Sequence, residues 1–125
     1  MYTLSVLRDF IARHFLFGGD WGPENLPNSH HYRLELRLEG TELDAHGFLC
    51  DIVEVERRLD QVLDRYGDAM LNELSEFEGL NPSLENFARI LALALHDLAM
   101  AGNITRLSTV LWEDESAWAS YTLSA

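Results

Sequence analysis

Five histidines, one cysteine and an excess of carboxylates are the side chains in this 125-residue sequence that could do chemistry. Imidazoles bind metal ions and move protons near neutral pH, so their placement comes first. His14 ends the run YTLSVLRDFIARH (residues 2–14), which is rich in β-branched and aromatic types with rough alternation and reads as a strand. A period of two puts Phe10, Ala12 and His14 on one face of it. His30 and His31 open a second run, HHYRLELRLE (residues 30–39), and adjacent strand residues point to opposite faces. His46 and His96 match no ligand spacing and read as structural or exposed. Cys50 is the only cysteine, which excludes an internal disulfide and fits a reducing compartment; it precedes a helix start and reads as packed. Glu113 opens the acidic turn Glu113-Asp114-Glu115 directly after the apolar Val110-Leu111-Trp112. A carboxylate at the edge of an apolar surface holds a hydrogen-bond donor more strongly than it would in water.

The elements that must position these groups are legible from periodicity. Between the two strand runs lies FLFGGDWGPENLPNS (residues 15–29), a long loop with five Gly or Pro residues; loops of that length in compact domains are usually functional or disordered, and Phe17 and Trp21 indicate that this one packs. In residues 30–39, Tyr32, Leu34, Leu36 and Leu38 share one face while Arg33, Glu35, Arg37 and Glu39 share the other, a half-buried strand with a charge ladder outside. A helix is expected from Asp51, which stands three residues before Glu54 as in a capping box, with an apolar stripe running to Gly67. Ser83 is a plausible N-cap for a second helix whose stripe ends near Gly102. Residues 104–112 and 116–123 read as two last strands. The expected order is ββααββ, an α+β domain spanning residues 1–125 without repeats or linkers.

Composition narrows the function. With 47% hydrophobic residues the chain can build a core, and a domain this small often gains stability by association. A formal charge of −12, with all nine basic residues arginine, repels nucleic acid. It also repels a phosphorylated molecule unless arginines are grouped, for which Arg8, Arg13, Arg33 and Arg37 are the candidates; singly, each reads as part of a solvated strand face. No window approaches the ~20 apolar residues of a membrane span, and no leader is evident, so a cytoplasmic protein is the expectation.

Several patches, in order, resemble the family of 6-pyruvoyl-tetrahydropterin synthases, which includes the 6-carboxytetrahydropterin synthases of queuosine biosynthesis. Phe10-Ile11-Ala12-Arg13-His14 is similar to the family's F-x-A-x-H, and Asn28-Ser29-His30-His31-Tyr32 to its H-G-H-N-Y. Gly47-Phe48-Leu49-Cys50-Asp51 is similar to G-M-V-x-D, and Leu71-Asn72 with Asn81-Pro82-Ser83-Leu84-Glu85 to L-N and N-P-T-x-E. Trp112-Glu113 and Tyr121 resemble the closing E-T…Y. The resemblance implies the tunnelling fold, a four-stranded antiparallel sheet with two helices packed on one face. It also implies a homo-oligomer, trimer or hexamer, with sites between subunits.

For the site, the resemblance implies zinc held by three histidines, of which His14 and His30 are present while Asn28 stands in the third position. His31 points to the other face unless the backbone leaves β geometry at Ser29. Glu24 stands where most of the family has its catalytic cysteine, a place where one branch uses glutamate, and would be the base. The Asp-His pair of the family falls on Gly67-Asp68, leaving Asp68 as a second catalytic candidate with the relay incomplete. Glu113 is implied as the anchor of the pterin ring, with Ser83 and Glu85 in the same binding region. Capping and dipole compensation account equally for Ser83 and Glu85. The activity implied is a zinc-dependent lyase acting on dihydroneopterin triphosphate or a related pterin. The alternative is a pterin- or purine-binding protein that has lost the chemistry.

Overall fold

A computed structural model describes residues 1–124. Strands β1 (Tyr2–His14) and β2 (Asn28–Gly40) pair antiparallel in unbroken register from Tyr2↔Gly40 to His14↔Asn28. Strand β3 (Arg106–Trp112) lies beside β2, and β4 (Trp118–Ser124) beside β3, so the sheet order is β1-β2-β3-β4. Helices α1 (Ile52–Tyr66) and α2 (Leu84–Ala94) fall between β2 and β3, which gives the expected ββααββ order. Among the described residues no helix is long and apolar enough to cross a membrane.

Alternation sorts the two faces of the sheet. Tyr32, Leu34, Leu36 and Leu38 turn inward with Val6 and Ala12, and join Val55, Leu59 and Tyr66 of α1 and Phe87, Ala88 and Leu91 of α2 in one core. Phe87 is the hub of that core. Its ring meets those of Phe10, Tyr32, Tyr66 and Phe77 edge-on at centroid distances of 5.2–5.8 Å, the arrangement aromatic quadrupoles prefer. The buried Thr109 hydroxyl donates to the Ala88 carbonyl at 2.6 Å and ties α2 to the sheet. On the outer face the expected ladder is present: Arg33 bonds Asp9 at 3.1 Å, and Glu35 accepts from Ser5 at 2.7 Å and Arg37 at 3.0 Å. Arg8 bonds Asp60 and Glu56 of α1. Three of the four arginines considered for phosphate are therefore already engaged with carboxylates.

Element ends differ from the sequence reading in instructive ways. Strand β2 begins at Asn28 rather than at His30, because Asn28 and Ser29 continue the ladder opposite His14 and Arg13. Asp51 is the N-cap of α1, as its spacing from Glu54 predicts, and accepts from Val53 and Glu54. The Glu54 side chain bonds Arg57, so the box is half-formed. Helix α2 stops at Ala94 and gives way to a 3-10 turn, His96–Met100. Arg58 of α1 donates to the freed Ala94 carbonyl at 3.1 Å and to Asp97 at 2.8 Å, closing the helix end that the apolar stripe alone would have extended.

Candidate metal centre

The inner face of the sheet ends in histidines. His30 pairs with Ala12, and His14 lies one inward position further along β1, so the two imidazoles are diagonal neighbours across strands. Their ring centroids are 4.5 Å apart. His14 Nδ1 lies 3.0 Å from the hydroxyl of the buried Tyr32, and its Nε2 lies 3.2 Å from Glu24 Oε2. Burial holds the His14 imidazole below its ordinary pKa against the opposing hydrogen bond to Glu24, which favours the neutral ring, the form that can ligate a metal ion.

Glu24 is delivered by the loop after β1, which is built rather than loose. Asn72 and Asn81 each act like a short strand: Asn72 pairs with both backbone groups of Phe15 at 3.0 and 2.9 Å, and Asn81 does the same to Phe17 at 2.9 and 3.0 Å. Asn25 closes the loop from inside, donating to the Leu16 and Gly19 carbonyls and accepting from Trp21 N–H. Pro23 starts the 3-10 turn Gly22–Asn25 that carries Glu24, whose carbonyl accepts from Leu16 N–H at 2.8 Å. Partial burial raises the Glu24 pKa, but its contacts with His14, His30 and Asn28 outweigh that and leave the carboxyl below its ordinary value.

Glu113 arrives at the same end of the sheet, from the turn after β3. Asp114 shapes that turn by accepting from Ser116 N–H, Ser116 Oγ and Ala117 N–H. Glu113 Oε1 and Glu24 Oε2 each lie 3.5 Å from His30 Nε2. Neither contact is a hydrogen bond: His30 Nε2 is buried and has no hydrogen-bond partner. Together His14, His30, Glu24 and Glu113 offer four ligand atoms all within 4.8 Å of one another. An orphaned buried imidazole nitrogen facing two carboxylates fits a divalent cation, and a mixed nitrogen–oxygen set suits zinc and its neighbours among the transition metals.

The other sequence candidates fall around this cluster. Asn28 is the first residue of β2, and its amide nitrogen donates to the His14 carbonyl at 3.2 Å and the Leu26 carbonyl at 2.9 Å. The β register is regular at Ser29, so His31 faces outward, 3.3 Å from Asp9. Ser83 caps α2 by accepting from Asn86 N–H at 3.1 Å, and Glu85 is exposed in its first turn. Asp68 is exposed, takes the left-handed conformation (φ 60°) and gives its backbone N–H to Ile11, outside the cluster. Sequence reasoning did not single out Tyr32, Asn72 or Asn81 as positioning residues. Two asparagines beside the apolar motif positions Leu71 and Pro82 were the available signal.

Fold and site together define an α+β protein whose sheet carries a two-histidine, two-carboxylate cluster at its rim. The sequence profile described as 6-pyruvoyl tetrahydropterin synthase matches residues 3–124, and the chain belongs to that family of lyase-type pterin enzymes. No curated protein sequence matches it. Among solved structures it is similar to Caenorhabditis elegans 6-pyruvoyl tetrahydropterin synthase, with a TM-score of 0.82 at 20% identity over 98% of this chain and 96% of that one. The Plasmodium falciparum enzyme superposes with a TM-score of 0.79 at 12% identity over 99% and 98% of the two chains. Two structures of the Plasmodium vivax enzyme, described as catalytic-residue mutants with a glutamate replaced by alanine or cysteine, superpose with a TM-score of 0.72 at 15% identity over the whole of both chains. The fold is the tunnelling fold.

Proposed function

We propose that this protein is a metal-dependent lyase acting on a reduced pterin with a hydroxylated side chain, dihydroneopterin triphosphate or a close relative. The observation that carries the reading is the convergence of His14, His30, Glu24 and Glu113 at one end of the inner face, with a buried imidazole nitrogen left without a partner. Zinc bound by His14 and His30 would supply Lewis acidity toward the side-chain hydroxyls of the substrate.

The chain's own residues do the rest. Glu24, ionised at neutral pH and held by the loop clamps, takes up the proton released from the side chain. Support for that role comes from the Plasmodium vivax enzyme, where the residue described as catalytic is also a glutamate. Glu113 anchors the ring through its N–H and NH₂ edge, and Ser83 and Glu85 complete that binding region from the start of α2. Asn28 occupies the place of the third histidine. Copies of the chain associate edge to edge, β1 against β4, into a trimer or hexamer, because both edge strands expose backbone and large apolar side chains, Leu7, Ile11, Trp118 and Tyr121 among them.

Calorimetry with a reduced pterin tests the assignment. Glu113→Gln should cost roughly 1.5–3 kcal/mol of binding, the usual value of a hydrogen bond to a charged group. Glu24→Gln should bind the ring and abolish turnover of dihydroneopterin triphosphate. Equal affinity in wild type and Glu113→Gln would remove the ring anchor. Ring binding without turnover in the wild type would leave the second reading, a pterin-binding protein, which the exposed Asp68 in place of the Asp-His pair favours.

A further inference from the structure

We infer that Glu24, not Asn28, is the third protein ligand of the metal, and that Glu113 is an exchangeable fourth. The inference rests on reading the cluster as a metal centre, and it reassigns the ligand set within that reading.

Asn28 could offer an ion only its amide oxygen. Its amide nitrogen is committed to two main-chain carbonyls, His14 and Leu26, and those bonds hold the start of β2 against the end of β1. An amide oxygen is also a weak ligand for a borderline-soft ion. Glu24 has the opposite character. Its Oε2 lies 3.2 Å from His14 Nε2 and 3.5 Å from His30 Nε2, and Glu113 Oε1 lies 3.5 Å from His30 Nε2. Four donors held tetrahedrally at about 2.1 Å from one ion are separated by about 3.4 Å. The three short separations in the cluster match that edge length. Tyr32 occupies His14 Nδ1, which leaves Nε2 as the ligand atom and fixes the ring, the role an outer hydrogen bond plays for metal-bound histidine. Two carboxylates on one cation also resolve the charge that otherwise gathers around the unpartnered His30 nitrogen.

Such a set carries a consequence for ring recognition. Four protein ligands close a tetrahedral site, whereas a catalytic one keeps a position for substrate. Of the two carboxylates, Glu113 is the one free to leave: Glu24 is bonded to His14 and held by a clamped loop, while the half-buried Glu113 carboxylate makes no hydrogen bond among the described residues. Glu113 is also the carboxylate proposed to take the ring edge. Binding of the ring would thus draw Glu113 off the metal and open the position for the side-chain hydroxyls, coupling recognition to activation. Glu24 would offer the ion Oε2, the oxygen nearest both imidazoles, and keep Oε1 for the proton.

Metal affinity and cobalt spectra test this on the purified full chain. With cobalt(II) as probe, titrated against a chromophoric chelator, Glu24→Gln should weaken binding at least ~10–100-fold, the range for disturbing a metal's ligand environment. Asn28→Ala should stay within about 3-fold, the size of a change away from the ligands. The wild-type cobalt protein should show intense four-coordinate visible bands that change when a reduced pterin is added, and Glu113→Gln should bind cobalt with bands that no longer respond. Circular dichroism and melting of each variant separate ligand loss from misfolding, and Glu24→Asp, which keeps the carboxylate, should recover part of the affinity. An Asn28→Ala protein that loses affinity while Glu24→Gln keeps it would overturn the assignment. A wild-type protein that binds no metal would overturn the underlying reading as well.

Discussion

His30 and His31 are adjacent in sequence and opposite in circumstance. The His30 side chain is 18% exposed and has its ring nitrogen between two carboxylates, while that of His31 is 68% exposed and rests beside Asp9 in a ladder of surface charge. Each is a histidine near an acid, so residue type does not distinguish them. What differs is the face of β2: the inner face meets His14, the core hub Phe87 and the clamped loop, whereas the outer face of a single chain meets water. A histidine becomes a candidate ligand here because the elements around it remove water and converge donors, and proximity to a carboxylate alone does not do this.

That contrast can be broken most forcefully through the core. Phe87→Ala removes the ring shared by four aromatic neighbours and should cost about 3–5 kcal/mol of stability, whereas Leu7→Ala on the outer face should stay within about 0.5 kcal/mol for the monomer. Urea unfolding at dilute concentration reads both. Next in size, His30→Ala should weaken zinc binding by about 100-fold or more and His31→Ala by less than about 2-fold, measured by chelator competition. Equal losses would mean that the face does not decide the ligand. The loop clamps come third: Asn72→Ala or Asn81→Ala removes two hydrogen bonds to the backbone and should cost about 1–2 kcal/mol, with faster hydrogen exchange confined to residues 15–25.

The smallest expected effect concerns acid stability, away from both faces. Glu76 accepts from Arg65 and from the Tyr66 hydroxyl, and the Arg65 guanidinium beside it is the main reason that its carboxyl falls from 4.5 to about 2. Its folded pKa lies below its unfolded value, so its contribution is complete above pH 4.5 and fades as pH falls toward 2. Glu76→Gln should therefore narrow the difference between melting temperatures at pH 6 and pH 3, read by calorimetry. An unchanged difference would show that the pair is solvated in solution.

Much of this was legible in the chain because the informative patterns are local. The period of two in residues 30–39 and 2–14 dictates which side chains share a face, since successive strand residues must point oppositely, and this set His30 and His31 on opposite faces; the pairing of His14 with His30 was implied by the family resemblance and rests on the β1–β2 register. Asp51 and Ser83 were readable as caps because an N-terminal turn needs an acceptor within three residues. The end of α2 was not, because Arg58, which satisfies the last carbonyl, comes from another helix.

The site divides along the same line. Sequence alone determined the strands and the order of elements, each a consequence of neighbours within a few residues, while the family resemblance marked His14 and His30 as candidates. Only the tertiary structure decided that Glu24 and Glu113, from a loop after the first strand and a turn after the third, reach the same imidazole. Their meeting depends on sheet register, on Asn72 and Asn81 gripping the loop from the far side of the chain, and on Asp114 bending the turn. Those are long-range contacts, fixed by packing rather than by any pattern of adjacent residues.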